Sequence, residues 1–384
     1  MSGRLMVYHN TQKHSTVEMP QNKKGITGEL SFRLAWLKII SCLAVIYAHS
    51  YIPQYEFFSA AVKPFPFIIE IEQFFVLYIA LIAVPVFFSA SGYIYFLKNY
   101  EISWIKFAWR KFRSIMLPYF IWNTLALIGV FIIQIPEFAR KIFPPGKIVA
   151  DFDAAQWFSA YAGWGEEWFP FLYPLWFLPY LFVVFIIIHA LRKVFYRWDW
   201  PIWALLLLHL ICSSYTPLLK RLDDCVFIIL INYALSIFAV GKLLIKYGQA
   251  IDSSKMLWAS GTAFIIALLL DIYKLVPDIQ WITLLIYLGI IFMFSLSGRI
   301  VKYKDKLWKQ VMLLADFSFF VYLAHAFLLS GLQAIIYPLL PRQPLAVLAA
   351  FLLLPPLIYA ILIPVGFILK KILPQVYEFL VGGR

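Results

Sequence analysis

His49 follows Lys38 by eleven residues in the run K-I-I-S-C-L-A-V-I-Y-A-H. On a helix, eleven steps of 100° make three turns plus about 20°, so both side chains share one face, about 16 Å apart along the axis. The surrounding stretch is apolar enough to cross a membrane, where an ionisable group is expensive and reads as a functional site. The lysine stem lets Lys38 reach the inner interface. His49 has no such stem. A neutral imidazole can take a proton from a hydroxyl or attack an acyl carbonyl.

A second histidine sits at the same level. His49 lies 15 residues into its stretch and His325 lies 14 residues into a later one, so their depths are about 22 and 21 Å at 1.5 Å per residue. A single buried histidine is usually satisfied by a backbone or hydroxyl partner. Two at one depth, in a chain with six, point to a site. His189 and His209 have no such match and read as core; His9 and His14 fall in a polar N-terminal segment.

Two further patterns have a plain reading and a sharper one. The run W-R-K-F-R-S places Arg110, Lys111 and Arg113 before an apolar stretch. Topology signalling explains all three, whereas a phosphate clamp would exploit the guanidinium geometry. The aromatic stretch D-F-D-A-A-Q-W-F-S-A-Y-A-G-W-G-E-E-W-F-P lies between two apolar runs. It reads as an interfacial segment, or as a carbohydrate platform on which Trp157, Tyr161, Trp164 or Trp168 stacks against sugar faces.

The elements that must position these residues are membrane spans. Of 384 residues, 63% are hydrophobic and 14% charged, and the mean hydropathy is +0.81. Apolar runs cover 34–52, 73–97, 114–135, 171–191, 201–219, 225–245, 256–273, 279–296, 311–337 and 345–369. The fifth is the weakest, and Pro355, Pro356 and Pro364 should kink the tenth. The expected fold is an all-α integral membrane bundle of about ten transmembrane helices. With both termini cytoplasmic, the inner segments hold 25 of the 33 Lys and Arg, as the positive-inside rule requires. The net charge of +13 is therefore topological and calls for no nucleic-acid partner. Residues 1–32 read as a disordered cytoplasmic tail without a signal-peptide core, 33–371 as one ten-helix domain, and 372–384 as a cytoplasmic C-terminal tail.

Five stretches carry a resemblance, in order along the chain. The first span is similar to the opening of the membrane acyltransferase family 3, in which a basic residue, ten residues and a histidine stand as Lys38 and His49 do here. "VPVFFSASGYIYF" is similar to the family's Val-Pro-Phe-Phe-x-x-Ser-Gly-Tyr signature, with Ser91, Gly92 and Tyr93 matching. "KFRSIMLPYF" resembles its basic run before the third helix, and "PLWFLPYLF" its Leu-Trp-Phe-Leu stretch. "SFFVYLAHAF" resembles its Ser-Phe-x-x-Tyr-Leu-x-His motif, with Ser318, Tyr322 and His325 matching. Three positions depart from the pattern: Lys38 stands for the usual Arg, Ala35 for an acidic residue, and Pro174 for a His.

The resemblance implies a multi-pass inner-membrane O-acyltransferase in membrane lipid. It would move an acyl group, most often acetyl, from cytoplasmic acyl-CoA (acetyl-CoA) to a hydroxyl of a surface glycan or glycolipid, without a metal and with a glycan-synthesis complex as an implied partner. His49, His325 and Tyr322 would be catalytic. Lys38, Arg110, Arg113 and Ser91 would hold the donor, and Trp176, Trp164 and Trp168 the acceptor. A polysaccharide or lipid-linked glycan transporter or flippase is the rival; internal repeats and paired broken helices would favour it. A non-catalytic subunit of a glycan-synthesis complex is the other.

Overall fold

The computed structural model describes residues 27–50, 65–98, 100–136, 148–163, 170–214, 225–273, 275, 278–341 and 343–383. Among the described residues there are helices and no strands. Eight helical segments are long and apolar enough to cross a membrane, and a shorter apolar helix accompanies them. The protein is an all-α integral membrane protein.

Three helices lead the chain: α1 (Gly28–His49), α2 (Pro66–Lys98) and α3 (Trp104–Ile133). The short α4 (Ala154–Ala162) is followed by α5 (Phe177–Ala190), and α6 (Trp200–Ser214) is the shorter apolar helix. Then come α7 (Cys225–Lys246), α8 (Ser254–Ile272), α9 (Asp278–Ile300), α10 (Lys304–Ile336), α11 (Pro344–Ile372) and α12 (Pro374–Val381). One continuous segment, Trp281–Leu339, contains most of α9 and all of α10, joined through a 3-10 turn at Val301–Tyr303.

Several elements differ from their sequence outlines for local reasons. α1 starts at Gly28 because Thr27 caps it, its hydroxyl accepting from Leu30 N at 3.2 Å. α2 starts at Pro66, suited to a first helical turn, and carries a π turn at Phe74–Ile79. α11 runs unbroken through Pro355, Pro356 and Pro364. The stretch after it is no loose tail: Tyr377 and Val381 of α12 are buried, and the Trp122 indole of α3 donates to the Leu380 carbonyl at 3.0 Å.

Cross-bundle contacts align the helix ends. At one end the Arg33 guanidinium grips Asp252 through two bonds of 2.7 and 2.8 Å and also donates to Ser297 Oγ and the Phe294 carbonyl. This paired geometry joins the start of α1, the turn before α8 and the end of α9. At the same end Lys242 and Lys246 of α7 pair with Asp199 before α6. Lys370, near the end of α11, lies over the Phe317 ring of α10. This is the basic end.

The tightest crossing is between α2 and α7. A Cβ on Gly92 would lie 1.9 Å from the Phe238 carbonyl oxygen, and one on Gly241 would lie 2.2 Å from the Tyr93 nitrogen. Each helix therefore presents bare backbone to the other, as small residues do where membrane helices approach closely. The glycine of the Ser-Gly-Tyr signature is thus a packing residue. It fixes the turn of α2 that carries Ser91.

Candidate active site

α1 and α10 pack side by side and bring the two matched histidines together. The rings of His49 and His325 stand 5.7 Å apart between centroids, tilted by 35°. His49 is the last residue of α1 and is half-buried; His325 is fully buried. His325 Nδ1 lies 2.6 Å from the Tyr322 carbonyl one turn back on α10. A carbonyl only accepts, so Nδ1 carries the proton and Nε2 carries the lone pair. That Nε2 has no hydrogen-bond partner among the described residues.

A short turn holds both histidine helices from the side. The 3-10 turn Tyr173–Trp176 sets the Tyr173 ring edge-on to His49 at 5.6 Å. Its Pro174 carbonyl accepts the Tyr322 hydroxyl. The turn is itself pinned to α3, because Asn123 Oδ1 accepts from Leu172 N at 2.9 Å. Position 174, a proline, contributes its backbone oxygen to the Tyr322 contact. The Tyr322 hydroxyl is engaged there.

Toward the basic end lies a cavity of about 410 Å³. Its walls include Lys38 of α1, Ser91 of α2, Lys111 of α3 and Asp316 of α10. Lys38 Nζ donates to the Ala315 carbonyl at 2.6 Å, so it lies along the cavity wall. Lys111 Nζ sits 3.6 Å from the centre of the Phe185 ring, a cation–π contact. The histidine-proximal limit of the cavity is aromatic, formed by Phe87, Phe177, Phe319 and Tyr322. The Phe177 and Tyr322 rings are 5.1 Å apart, and those of Phe87 and Phe177 5.8 Å. Only one turn of α10, about 5 Å of rise, separates Tyr322 from His325.

The remaining candidates fall elsewhere. Arg110 and Arg113 lie on the exposed face of α3 and do not line the cavity. Trp176 lines a separate hollow of about 50 Å³ with Tyr180. Trp164 and Trp168 lie outside the described residues. Trp157 is exposed on α4, whereas the Tyr161 hydroxyl is held 2.8 Å from Thr124 Oγ1. His189 and His209 are satisfied core histidines. The first lies between the Tyr95 hydroxyl and the Ile102 carbonyl, and the second has its Nδ1 2.6 Å from the Tyr287 hydroxyl.

Of the three basic residues of the clamp reading only Lys111 lines the cavity, and Asp316, which the sequence does not single out, joins it. For Lys111 the signal lies in the sequence: its neighbours four residues away on either side, Phe107 and Ile115, are apolar and buried. Arg110 has Lys106 and Ser114 in those places.

No curated protein and no solved structure matches this chain. A family model described as an acyltransferase domain matches residues 32–370, from the first turn of α1 to the end of α11. The match spans both histidine helices, the Ser-Gly-Tyr crossing and the cavity between them. The chain belongs to the membrane acyltransferase family 3.

Proposed function

We propose that this acyltransferase is an inner-membrane O-acetyltransferase of surface glycans. It takes acetyl from cytoplasmic acetyl-CoA and delivers it to a glycan or glycolipid hydroxyl at the outer face. The observation that carries this reading is the cavity that runs from the basic end to within one turn of the histidine pair. Ten spans with both termini inside would place the basic end in the cytoplasm, where anionic coenzyme A is found. A cavity bearing two lysines and one aspartate suits an anionic donor whose thin thioester arm reaches past Tyr322.

His49 acts on the acceptor hydroxyl as general base while the hydroxyl oxygen attacks the thioester carbonyl and coenzyme A leaves as thiol. An acyl-imidazole on His49 is the covalent alternative. The attacking hydroxyl has one proton and gives it to His49. His325, with Nδ1 committed to a carbonyl, offers Nε2 as an acceptor for a neighbouring hydroxyl of the glycan.

The donor-side assignment has a kinetic test. Loss of a charge-assisted hydrogen bond costs about 1.5–3 kcal/mol, so Lys38→Met and Lys111→Met should each raise KM for acetyl-CoA by about tenfold or more. Lys38→Arg should retain activity, and Arg110→Met and Arg113→Met should leave KM unchanged. Vesicle assays titrating acetyl-CoA read this directly. An unchanged KM in both lysine variants would remove the cavity from donor binding.

The topology has its own test. Cysteines placed singly at Ser159 and Ser103, in a chain lacking its native cysteines, should label differently with an impermeant thiol reagent in intact cells. Ser159→Cys should react and Ser103→Cys should not. The reverse pattern would invert the bundle.

A further inference from the structure

A second and larger cavity lies away from the histidines, in the wall made by α6, α7, α8 and α9. Its volume is about 560 Å³ and its lining is almost wholly apolar. It is long as well as large. It runs from Ile251, next to the basic-end pair of Arg33 and Asp252, to Thr283 on α9. Asp252 abuts Gly298 of α9, so the groove covers the rise from residue 298 back to 283, about 20 Å. That is most of a hydrocarbon core about 30 Å thick.

The groove also opens sideways. Trp203 and Leu207 of its α6 wall are more than half exposed, on the shorter apolar helix that accompanies the eight candidate spans. Tyr287, half-buried in its wall, turns its hydroxyl inward to His209 and Ser236 and leaves ring carbon to the groove. A dry, elongated groove at hydrocarbon depth suits an alkyl chain and excludes a polar ligand.

The charge at its mouth selects the headgroup. Lys242 spends its three N–H bonds on the Phe195 carbonyl, the Trp198 carbonyl and Asp199. Lys246 shares the same carboxylate with one bond of 2.5 Å. Two ammonium groups thus face one carboxylate, and the Lys246 side chain is half exposed. Its Nζ lies 5.6 Å from the ring of Tyr247, which lines the groove. A net positive charge therefore stands where the groove reaches the membrane surface, at the depth of lipid phosphates.

We propose that this groove is a binding site for one anionic phospholipid of the basic-side leaflet, with an acyl chain between α6, α7 and α9 and its phosphate at Lys246. The site does not depend on the acyl-transfer reading, and it touches neither histidine. Its occupant fills the space beside α6, and it bears on α7, the partner of the Gly92 crossing.

The test uses the full-length protein, purified in detergent, stripped of loosely held lipid and titrated with dioleoyl phosphatidylglycerol or dioleoyl phosphatidylcholine. Native mass spectrometry counts the bound lipids. One phosphatidylglycerol should bind at least tenfold more tightly than phosphatidylcholine. Lys246→Glu should abolish that preference, while Lys302→Glu, also basic but remote from the groove, should keep it. Leu207→Trp, which narrows the groove from its exposed wall, should weaken binding of both lipids at least tenfold; if that variant elutes aggregated, Lys246→Glu decides alone. Equal affinity of the wild type for both lipids would overturn the proposal, as would a preference unaffected by Lys246→Glu. A doubled mass with no bound lipid would instead assign the groove to a second copy of this chain.

Discussion

Replacing His49 with alanine is expected to lower acyl transfer by about 10²–10⁴-fold, the contribution of a positioned acid–base group, and by more if His49 carries the acyl group itself. The variant should reach the membrane in normal amounts. Among the described residues His49 contributes ring contacts with Tyr173 and His325 and is only half-buried, so its removal opens little core. His325→Ala should also lose most activity, but with a larger effect on kcat than on KM for acetyl-CoA, because His325 does not line the cavity at the basic end. Tyr322→Phe should be milder. It removes the bond to the Pro174 carbonyl and keeps the ring that packs on Phe177. Acetylation of glycan by His49→Ala at the wild-type rate would take this residue out of the chemistry.

Gly241→Ala is expected to cost the folded protein. The new methyl would sit 2.2 Å from the Tyr93 nitrogen and 2.5 Å from the Gly92 carbonyl carbon, and neither is the movable end of a side chain. Overpacking a well-filled core already costs about 1–3 kcal/mol. Here the obstacle is backbone, so α2 and α7 must separate. Because α2 also carries Ser91 and Phe87 into the cavity wall, separation would dismantle the donor side as well. The matched control is Gly129→Ala on α3, where a Cβ meets nothing within 4 Å. Fluorescence-detected size exclusion should show a monodisperse peak for Gly129→Ala and an aggregated or vanishing one for Gly241→Ala. Equal peaks would mean that the α2–α7 crossing has room for the methyl group.

The parts of this protein legible in its sequence are those that periodicity and depth govern. Lys38 and His49 share a face by arithmetic, and matched depth anticipated that His49 and His325 would meet. Composition alone does not convey which face of a basic helix turns inward; for α3 the apolar neighbours Phe107 and Ile115 of Lys111 do. α3 contains a π turn at Phe112–Met116, directly after Lys111, and such a turn shifts the register of everything that follows. Composition treats Arg110, Lys111 and Arg113 alike, whereas the fold buries one stem and leaves two heads outside. Lys38 shows the same limit. Its stem was long enough to reach the interface, but the Ala315 carbonyl on α10 lies closer. The weakness of the fifth apolar run has a physical cause too. α6 has 15 residues, and its His209 is satisfied by α7 and α9 and not by lipid.

The central claim is that this chain adds an acyl group to a glycan through its histidine pair. The mass of the host's surface-glycan repeat tests it most directly, in cells lacking the chain, cells carrying it and cells carrying His49→Ala. The repeat should be heavier by one acetyl group only in cells with the unaltered chain, and equal in the other two. A repeat of unchanged mass that disappears from the cell surface when the chain is removed would contradict this account and identify a transporter.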